Sequence, residues 1–454
     1  MALSTQPYKG ARDFYPEDMR LQKIMFAHMR EVAERFGYEE YNAPILEPTG
    51  LYLAKGNQEI IDSETYTFKD RGDRMVTIRT EMTPSVSRMV AARRQELAYP
   101  LRWYSIPNLW RYERPQRGRL REFWQPNFDL FGVEGVEGDH EIILMADQIM
   151  KSFGAKTDEY SIQVSSRKLI DELFGSYLGL DNTQRETLIR LVDRLKKMEH
   201  GEFIAQADAL LTPTQRESGV LDNLQQLLKV RRLEDLPLGF MANPSVLRLG
   251  QLMDMLRASR VTNCVFDITL MRGFDYYTDM VFEVFDTAPE NNRAMYGGGR
   301  YDGLVGLFGV EPVPTVGFAM GDAPLQNFLE SHKLLPNLHT ETDVYAVLIG
   351  DNIYEKAQRP LMDLRRMGVN VAVDTTGRKL EKQIKTAVKK GIPYVIFIGE
   401  AELVGEQFKL RDLSTGVEET HGLQRIVSIV RDRRYASKLP SPAGSEDDED
   451  LLEL

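Results

Sequence analysis

The stretch WRYERPQRGRLREFWQ, Trp110 to Gln125, places five arginines within the eleven residues from Arg111 to Arg121. Within it, the polar segment RPQRGRLR is flanked by aromatic-rich, strand-like runs, LRWYSIPNLWRYE on one side and EFWQPNFDLFG on the other. Two such runs joined by a polar loop with a glycine predict an antiparallel hairpin with a long, exposed tip. Guanidinium groups recognise phosphate and carboxylate groups, and the neighbouring aromatic rings offer a stacking surface for a base. The hairpin is therefore a candidate nucleotide site, with a loop of solvated cations as the alternative.

The composition is that of an acidic globular chain. Its 454 residues include 57 Lys and Arg against 68 Asp and Glu, which gives a net charge of −11, and this length suggests two or three domains. The single cysteine, Cys264, leaves no internal disulfide and is typical of a reducing cytoplasm. We find neither the apolar segment of a signal peptide nor an apolar run of membrane-spanning length, so we expect a cytoplasmic protein without a membrane partner.

Patterns elsewhere in the chain predict its organisation. Apolar side chains at helical spacing predict a helix from about Pro16 to Phe36, ended by Gly37. After the hairpin the pattern becomes wholly helical, and strand signals then resume. The final region alternates strand and helix, as in a small α/β domain with a largely parallel sheet. The predicted regions are a core of 1–165 and 261–328, an α-helical insertion of 166–260, a linker of 329–342, an α/β domain of 343–435 and an acidic disordered tail of 436–454.

Two further segments carry candidate site residues. In MRGFDYYTDMVFEVF, strand alternation would place Arg272, Phe274 and Tyr276 on one face and Gly273, Asp275 and Tyr277 on the other. In YGGGRYDGL, three glycines permit either close backbone approach or a tight turn. None of the six histidines falls in these clusters, so we expect neither a histidine base nor a protein metal site. A site of arginine, carboxylate and tyrosine suits the positioning of anionic substrates.

Taken together, these segments resemble the histidyl-tRNA synthetase family of class II aminoacyl-tRNA synthetases, from Gly10 to Arg434. GARDFYPED is similar to the family's opening, YNAPILEP to its first motif at the dimer interface, and WRYERPQRGRLREFWQ to its second motif. RGFDYYTDMVFE and GGRYDG resemble its two histidine signatures. The resemblance implies an α+β fold: a class II antiparallel-sheet catalytic domain with a helical insertion, a C-terminal α/β anticodon-binding domain, and a homodimer.

The resemblance also implies an activity and a role for each matching residue. The activity is ATP-dependent activation of L-histidine to histidyl-adenylate, with Mg²⁺, followed by transfer to the 3′ end of tRNA(His). Arg111 would hold the α-phosphate of ATP and the histidine carboxylate, Glu113 would read the adenine amino group, Phe123 would stack on adenine, and Arg272 would be the catalytic arginine. Further implied residues are Arg119 and Arg300 for ATP, Arg121 for phosphates or the tRNA end, Gln116 and Arg117 for the tRNA acceptor, and Glu81, Thr83, Gln125, Asp129, Arg272, Tyr276, Tyr277 and Tyr301 for histidine.

One motif departs from the family pattern. The third motif usually reads GFAxGxER, whereas this chain has GFAMGDAPL, with Pro324 in place of the arginine that grips the γ-phosphate. Proline is accepted in the first turn of a helix but cannot contact phosphate. Either Arg119 or Arg300 takes over, or activation is impaired. This leaves two alternatives open: a catalytically silent paralogue that serves as a regulatory subunit, for example of ATP phosphoribosyltransferase, and an RNA-binding module.

Overall fold

The computed structural model describes residues 3–53, 64–115, 118–195, 198–271, 276–291 and 294–438. The chain separates into two compact units, one ending at Pro336 and the other beginning at Asn337. Within the described ranges, no helix combines the length and apolar character needed to cross a bilayer. The acidic residues of the predicted tail lie outside the described ranges.

The first unit is built on an eight-stranded sheet with two smaller sheets beside it. Its described strands are β1 (Glu39–Glu40), β2 (Leu46–Pro48), β3 (Tyr66–Lys69), β4 (Met75–Ile78), β5 (Leu101–Ser105), β6 (Asn108–Trp110), β7 (Glu122–Trp124), β8 (Asn127–Phe131), β9 (Tyr160–Ser166), β10 (Cys264–Phe266), β11 (Met280–Asp286), β12 (Ala294–Arg300) and β13 (Thr315–Met320). The large sheet has the order β1-β5-β8-β13-β12-β11-β9-β10. All its inner pairs are antiparallel, and each edge adds one parallel pair.

Helices cover this sheet and fill the region between β9 and β10. The described α-helices of the first unit are α1 (Pro16–Arg35), α2 (Gly50–Leu53), α3 (Thr83–Ala92), α4 (Val136–Ser152), α5 (Arg167–Glu172), α6 (Asn182–Asp193), α7 (His200–Ala209), α8 (Pro213–Glu217), α9 (Val220–Leu227), α10 (Pro244–Ala258) and α11 (Asp322–Ser331). The described residues between β9 and β10 contain no strand, so the predicted helical insertion is confirmed. Helix α10 packs on α4, and their apolar faces belong to the main core.

Helix α1 shows how local sequence sets an element. Pro16 occupies the first turn, where its missing N–H is not needed, and the helix ends before Gly37, whose φ of 79° favours glycine. The buried side chains, among them Met25, Met29 and Ala33, recur at helical spacing and join the main core. The predicted helix is therefore confirmed to within one residue of its end.

The predicted hairpin is also confirmed, with an interruption on each side. Strands β5 and β8 pair within the large sheet, whereas β6 and β7 form a separate two-stranded ribbon that leads into the arginine loop. The breaks fall at Pro107 and Pro126, because proline cannot donate a ladder hydrogen bond. The ribbon thereby leaves the large sheet and carries the arginines away from it. Gln116 and Arg117 at the tip lie outside the described residues.

The second unit is a five-stranded sheet flanked by helices. Its described elements are β14 (Val344–Leu348), α12 (Ile353–Arg366), β15 (Val371–Val373), α13 (Leu380–Lys389), β16 (Tyr394–Ile398), α14 (Glu400–Gly405), β17 (Phe408–Asp412), β18 (Glu418–His421) and α15 (Leu423–Lys438). The order is β15-β14-β16-β17-β18; the first three strands are parallel and the last two add antiparallel. The predicted parallel unit is confirmed for β14 to β16. Helix α15 continues past residue 435, where the tail was expected to begin.

Candidate active site

A cleft of about 1140 Å³ opens in the first unit between the arginine hairpin and the large sheet. The hairpin contributes Arg111, Glu113, Arg119, Phe123 and Gln125 to its lining. Tyr277, together with Gly297 and Gly298 of β12, lines it on the side of the sheet, and the first turn of α11 closes one side. This volume exceeds that of most small-molecule pockets, so the cleft has room for two substrates side by side.

The hairpin presents a cation and a ring to the same space. The Arg111 guanidinium carbon lies 5.4 Å from the Phe123 ring centroid, and its Nε donates to the Thr80 carbonyl at 3.1 Å. These contacts fix the guanidinium, and Arg111 lines the cleft. An anion bound at Arg111 would therefore sit beside a planar surface suited to a base.

Arg121, by contrast, is a structural residue. Its guanidinium lies 3.9 Å from the Tyr112 ring centroid and donates to the Tyr8 hydroxyl at 3.2 Å and the Glu113 carbonyl at 3.1 Å. A Cβ on Gly10 would come within 2.7 Å of the Arg121 side chain, so only glycine permits this packing. Arg121 therefore fixes the N-terminal segment against the base of the loop, and its side chain is buried rather than facing the cleft.

Three tyrosines cluster at the sheet end of the cleft, which Tyr277 lines, and we call this cluster the tyrosine pocket. The ring centroids of Tyr276 and Tyr277 are 4.5 Å apart, and those of Tyr276 and Tyr301 are 6.0 Å apart. The predicted strand does not include Tyr276 and Tyr277, because β11 begins only at Met280. The two tyrosines instead precede the strand as an irregular segment, which lets both rings point toward Tyr301 rather than to opposite faces of a sheet.

Asp129 lies beneath this pocket, buried in β8. The Tyr301 hydroxyl donates to one carboxylate oxygen, and the Tyr41 hydroxyl donates to the other at 3.4 Å. Burial raises the pKa of Asp129 to about 7, and the two tyrosine hydrogen bonds oppose that rise. Asp129 is thus a carboxyl group whose charge changes near neutral pH, next to three aromatic rings.

Glu81 supplies a second carboxylate near the tyrosines. Burial raises its pKa, and the guanidinium of Arg111 opposes the rise. Burial, with the Glu81 charge as a lesser cause, raises the pKa of Tyr277 to about 12, so this phenol stays neutral at physiological pH. Thr83 follows at the first position of α3. A half-buried carboxylate near a cation and polar groups suits an ammonium group.

The glycines of YGGGRYDGL lie within β12, and close approach rather than a tight turn explains them. A Cβ on Gly298 would be 2.1 Å from the Gly317 carbonyl oxygen, and one on Gly299 would be 2.9 Å from the Tyr277 ring. A Cβ on Gly317 in β13 would lie 2.7 Å from both an Asp129 oxygen and the Tyr301 hydroxyl. The glycines therefore create the space in which the tyrosines and Asp129 meet.

Comparison with known proteins assigns this arrangement to a family. The family model for histidyl-tRNA synthetase matches residues 10–324, and that for the anticodon binding domain matches residues 343–433. The chain belongs to the histidyl-tRNA synthetase family. A relative named histidine–tRNA ligase from Leptospira biflexa is 38% identical over 434 residues, which cover 95% of this chain and 98% of the relative. One of the same name from Thermococcus kodakarensis is 35% identical over 441 residues, covering 93% and 98%.

Solved structures of the histidyl-tRNA synthetase family share the fold. The histidyl-tRNA synthetase from Nostoc sp. PCC 7120 superimposes with a TM-score of 0.80 at 23% identity, covering 95% of this chain and 100% of that chain. An ATP phosphoribosyltransferase regulatory subunit/histidyl-tRNA synthetase from Bacillus halodurans C gives 0.72 at 22% identity, covering 88% and 99%. Both likenesses concern the fold alone, so they do not separate the synthetase from the regulatory alternative.

The third motif of this family member has a different construction from the usual one. Pro324 stands in the first turn of α11, where no intrahelical N–H is required, and lines the cleft. Asp322 is buried, forms an ion pair with Arg12 and accepts a hydrogen bond from the Trp124 backbone N–H at 3.2 Å. Burial raises the pKa of Asp322, and the Arg12 guanidinium opposes the rise. Asp322 therefore joins α11 to the hairpin strand β7.

The ATP contact expected for Arg300 is not supported by its position. Arg300 is 2% exposed and is absent from the described residues that line the cleft. Its guanidinium pairs with Asp139 at 2.7 Å and donates to the carbonyls of Val133 at 2.8 Å and Gly135 at 3.1 Å. A cation so fully bonded inside the core has no donor for a phosphate, so we withdraw this role.

Arg272 and Tyr41 differ from the other site residues in how the sequence and the structure describe them. Arg272 lies outside the described residues, so its predicted role stays a prediction. Tyr41 was not predicted, yet its hydroxyl contacts Asp129. The YNAP segment that contains it resembles a dimer-interface motif, and no local pattern indicates that its tyrosine also reaches the site. The contact between Tyr41 and Asp129 depends on the fold. The Tyr41 backbone N–H donates to the carbonyl of Tyr104 in β5, and β5 lies next to β8, which carries Asp129.

Proposed function

We propose that the protein is a histidine–tRNA ligase, which activates L-histidine with ATP and transfers the histidyl group to the 3′-terminal ribose of tRNA(His). The observation that carries this proposal is that Arg111, Phe123 and Tyr277 line one cleft. The Tyr277 ring contacts those of Tyr276 and Tyr301, and the Tyr301 hydroxyl donates to buried Asp129. The arginine and phenylalanine suit a nucleotide, and the tyrosines with Asp129 suit a cationic, hydrogen-bonding amino acid.

ATP would lie along the hairpin. Arg111 would bind the α-phosphate and the histidine carboxylate, Phe123 would stack on adenine, and Glu113 would accept a hydrogen bond from the adenine amino group. Arg119, which is about half exposed at 49%, would bind the outer phosphates. This placement brings the α-phosphorus and the carboxylate to the same guanidinium, which lowers the entropic cost of the reaction between them.

Histidine would occupy the tyrosine pocket. Glu81 and Thr83 would receive the α-amino group, and Gln125 would bind a further polar atom. Asp129, held by Tyr301, would accept a hydrogen bond from an imidazole N–H, with Tyr276 and Tyr277 around the ring. An apolar amino acid would leave these buried polar groups unpaired, which supports discrimination of roughly 10⁴-fold or more without an editing site.

The reaction needs no protein nucleophile. A histidine carboxylate oxygen attacks the α-phosphorus, the bond to the bridging oxygen of the β-phosphate breaks, and pyrophosphate leaves with the electron pair. A ribose hydroxyl then attacks the histidyl carbonyl, and AMP leaves. Arg111 would stabilise the charge that develops on the phosphoryl oxygens, and we propose Arg272 as the second cation for this step.

Magnesium would enter with ATP. In the described ranges, no cluster of three or more His, Cys, Asp or Glu side chains is arranged to hold a metal ion. Mg²⁺ in nucleotide sites needs only one or two carboxylates, because phosphates and waters supply the other oxygens. Glu283 of β11 lines the cleft and is the carboxylate we propose for this purpose. The ion would neutralise phosphate charge next to Asp322.

The tRNA would bridge several regions. We propose that Gln116 and Arg117 contact the acceptor end, and that residues 343–435 bind the anticodon. The catalytic core would comprise 1–165 and 261–328, with 166–260 inserted and 329–342 as the linker. We also place the protein in the cytoplasm, since a single cysteine is typical of a reducing compartment.

A second copy of the chain would cover the small sheet of β2, β3 and β4. Leu46 and Tyr66 flank Ile78 across the ladder, and Pro48 and Phe68 flank Val76, so these side chains share one face. Leu46 is 43% exposed and Phe68 is 44% exposed. An apolar face of this kind supports a homodimer built through the YNAPILEP segment.

The test is histidine-dependent exchange of labelled pyrophosphate into ATP by the purified protein. We expect exchange with histidine and background rates with other amino acids. Absence of exchange by folded protein would eliminate the ligase and leave the regulatory paralogue. We further expect Arg272→Ala to reduce kcat far more than histidine affinity; equal losses in both would contradict its transition-state role.

A further inference from the structure

A chain of alternating charges runs close to the tyrosine pocket. It runs from Arg300 to Asp139, then to Arg248, and then to Asp279. Arg248 Nη2 lies 2.7 Å from an Asp139 oxygen, and its Nε lies 3.9 Å from an Asp279 oxygen. Arg300 binds the other Asp139 oxygen at 2.7 Å. Asp139, Asp279 and Arg300 are all buried, so each charge depends on its neighbours in the chain.

Both ends of this charge chain adjoin residues of the tyrosine pocket. Asp279 lies two residues after Tyr277, and Arg300 immediately precedes Tyr301. The two ends are also joined directly, because the Thr278 N–H donates to the Arg300 carbonyl at 2.7 Å. A displacement of either charged end therefore changes the distance between the tyrosines that surround the pocket.

Arg248 enters this chain from a different part of the fold. It lies on α10, in the helical segment between β9 and β10, whereas its partners come from α4 and from the segment before β11. It also donates to the Glu134 carbonyl at 3.0 Å. Asp279 has two other side-chain partners: Ser166, the last residue of β9, at 2.6 Å, and Lys168, in the first turn of the same helical segment, at 3.3 Å. The insertion thus holds the pocket from both of its ends.

We propose that Arg248 is a positioning residue for histidine: through Asp139 and Asp279 it holds the tyrosine pocket in its binding geometry, so that the inserted helices determine amino-acid affinity. This inference rests on the proposed function, because it assigns the tyrosine pocket to histidine. The proposal predicts an effect on one substrate only. Loss of Arg248 weakens histidine binding and leaves the hairpin side of the cleft, where ATP would bind, unchanged.

The experiment compares Arg248→Met with Arg257→Met in pyrophosphate exchange, varying histidine at saturating ATP and then ATP at saturating histidine. Both arginines lie on α10, but Arg257 is 59% exposed and pairs with Asp254 on the same helix. For Arg248→Met we expect kcat/KM for histidine to fall roughly 10- to 100-fold, as for a small misplacement of binding groups, with KM for ATP within about twofold of wild type. We expect Arg257→Met to match wild type in both.

If the methionine variant does not fold, Arg248→Lys replaces it, because lysine retains the positive charge at this position. The shorter lysine cannot reach both carboxylates, so we expect histidine affinity, measured by calorimetry, to fall severalfold with ATP affinity unchanged. Equal losses for both substrates, or wild-type histidine affinity in both Arg248 variants, would overturn the proposal. Wild-type protein without exchange would instead remove the proposed function itself, so the two failures are distinguishable.

Discussion

The Arg119 guanidinium lies 3.4 Å from the Glu113 carboxylate, Nη1 to Oε2, and both side chains line the cleft. We assign these residues to opposite ends of ATP, Glu113 to adenine and Arg119 to the outer phosphates. The ion pair must therefore separate when ATP binds. Because the Arg119 side chain is 49% exposed, solvent screens this pair and its contribution is on the order of 1 kcal/mol, which the phosphates of a nucleotide can replace. Gly118 lies beside Asn327 of α11, which brings Arg119 to the helix whose usual arginine is replaced by Pro324.

Arg119→Ala should raise KM for ATP at least about tenfold, because a charge-assisted contact to the outer phosphates is lost. A non-hydrolysable analogue of histidyl-adenylate lacks those phosphates, so its affinity should change less than about twofold. Exchange kinetics and calorimetry measure the two quantities. Arg93→Ala, at a 74% exposed arginine of the first unit, is the control. Equal weakening of ATP and the analogue would contradict this role for Arg119.

Restoring the usual third motif should compensate for the loss of Arg119. In an Arg119→Ala background, Ala323→Glu with Pro324→Arg should lower KM for ATP severalfold, because the new guanidinium enters the cleft from the first turn of α11. The same pair of substitutions in the wild-type background should have a smaller effect. The KM for ATP is measured by steady-state exchange in four proteins: wild type, Arg119→Ala, the pair of third-motif substitutions, and all three substitutions together. The four values give the coupling free energy between Arg119 and the third motif. Purely additive effects would show that the two positions serve different parts of ATP.

Asp322→Ala should lower the free energy of unfolding by roughly 2–4 kcal/mol, because it leaves Arg12 without its carboxylate and the Trp124 N–H without its acceptor. Urea denaturation measures the change. The matched control is Glu31→Ala, which removes an exposed ion pair with Arg35 on α1 and should cost less than about 1 kcal/mol. Similar values for the two variants would show that the Asp322 pair contributes no more than a surface contact.

Gly298→Ala should prevent stable folding of the first unit or destabilise it by several kcal/mol, since the added Cβ would lie 2.1 Å from the Gly317 carbonyl oxygen and 2.5 Å from the Phe318 Cβ. Gly250→Ala is the opposite case. Gly250 lies inside α10 with no atom within 4 Å of an added Cβ, so alanine should stabilise by about 0.5–1 kcal/mol through helix propensity. Thermal denaturation and soluble yield compare the two, and a well-folded Gly298→Ala protein would refute the close approach.

Asp129 should make stability depend on pH between about 4 and 7. Its folded-state pKa of about 7 lies above the ordinary value of 3.8, so the folded state favours the protonated carboxyl. The corresponding stability is fully present below pH 4 and is lost as pH rises through 7. Wild-type protein should therefore lose on the order of 3 kcal/mol relative to Asp129→Asn between pH 4 and pH 8. The measurement is the urea midpoint of both proteins as a function of pH across this range. Parallel curves for the two proteins would show that Asp129 has an ordinary pKa.

Local patterns were sufficient for the elements whose signals are short in range. The limits of α1 follow from Pro16 and Gly37, and the hairpin follows from two alternating runs around a glycine-containing loop. The same reasoning failed at Tyr276 and Tyr277. Alternation predicted a strand there, but β11 begins only at Met280, and both rings lie near Tyr301. The contact with Tyr301 depends on tertiary packing, which residue spacing does not encode.

The sequence by itself determined the family, the hairpin with its arginines, and the residue types of the site, because these depend on order and composition along the chain. The tertiary structure alone decided which arginines face the cleft. Arg119 and Arg300 carry the same charge. Arg300 is nevertheless buried, where it forms an ion pair with Asp139, 161 residues away in the sequence, whereas Arg119 remains exposed. Burial of a charge requires a partner brought in by packing, and no local pattern states which partner arrives.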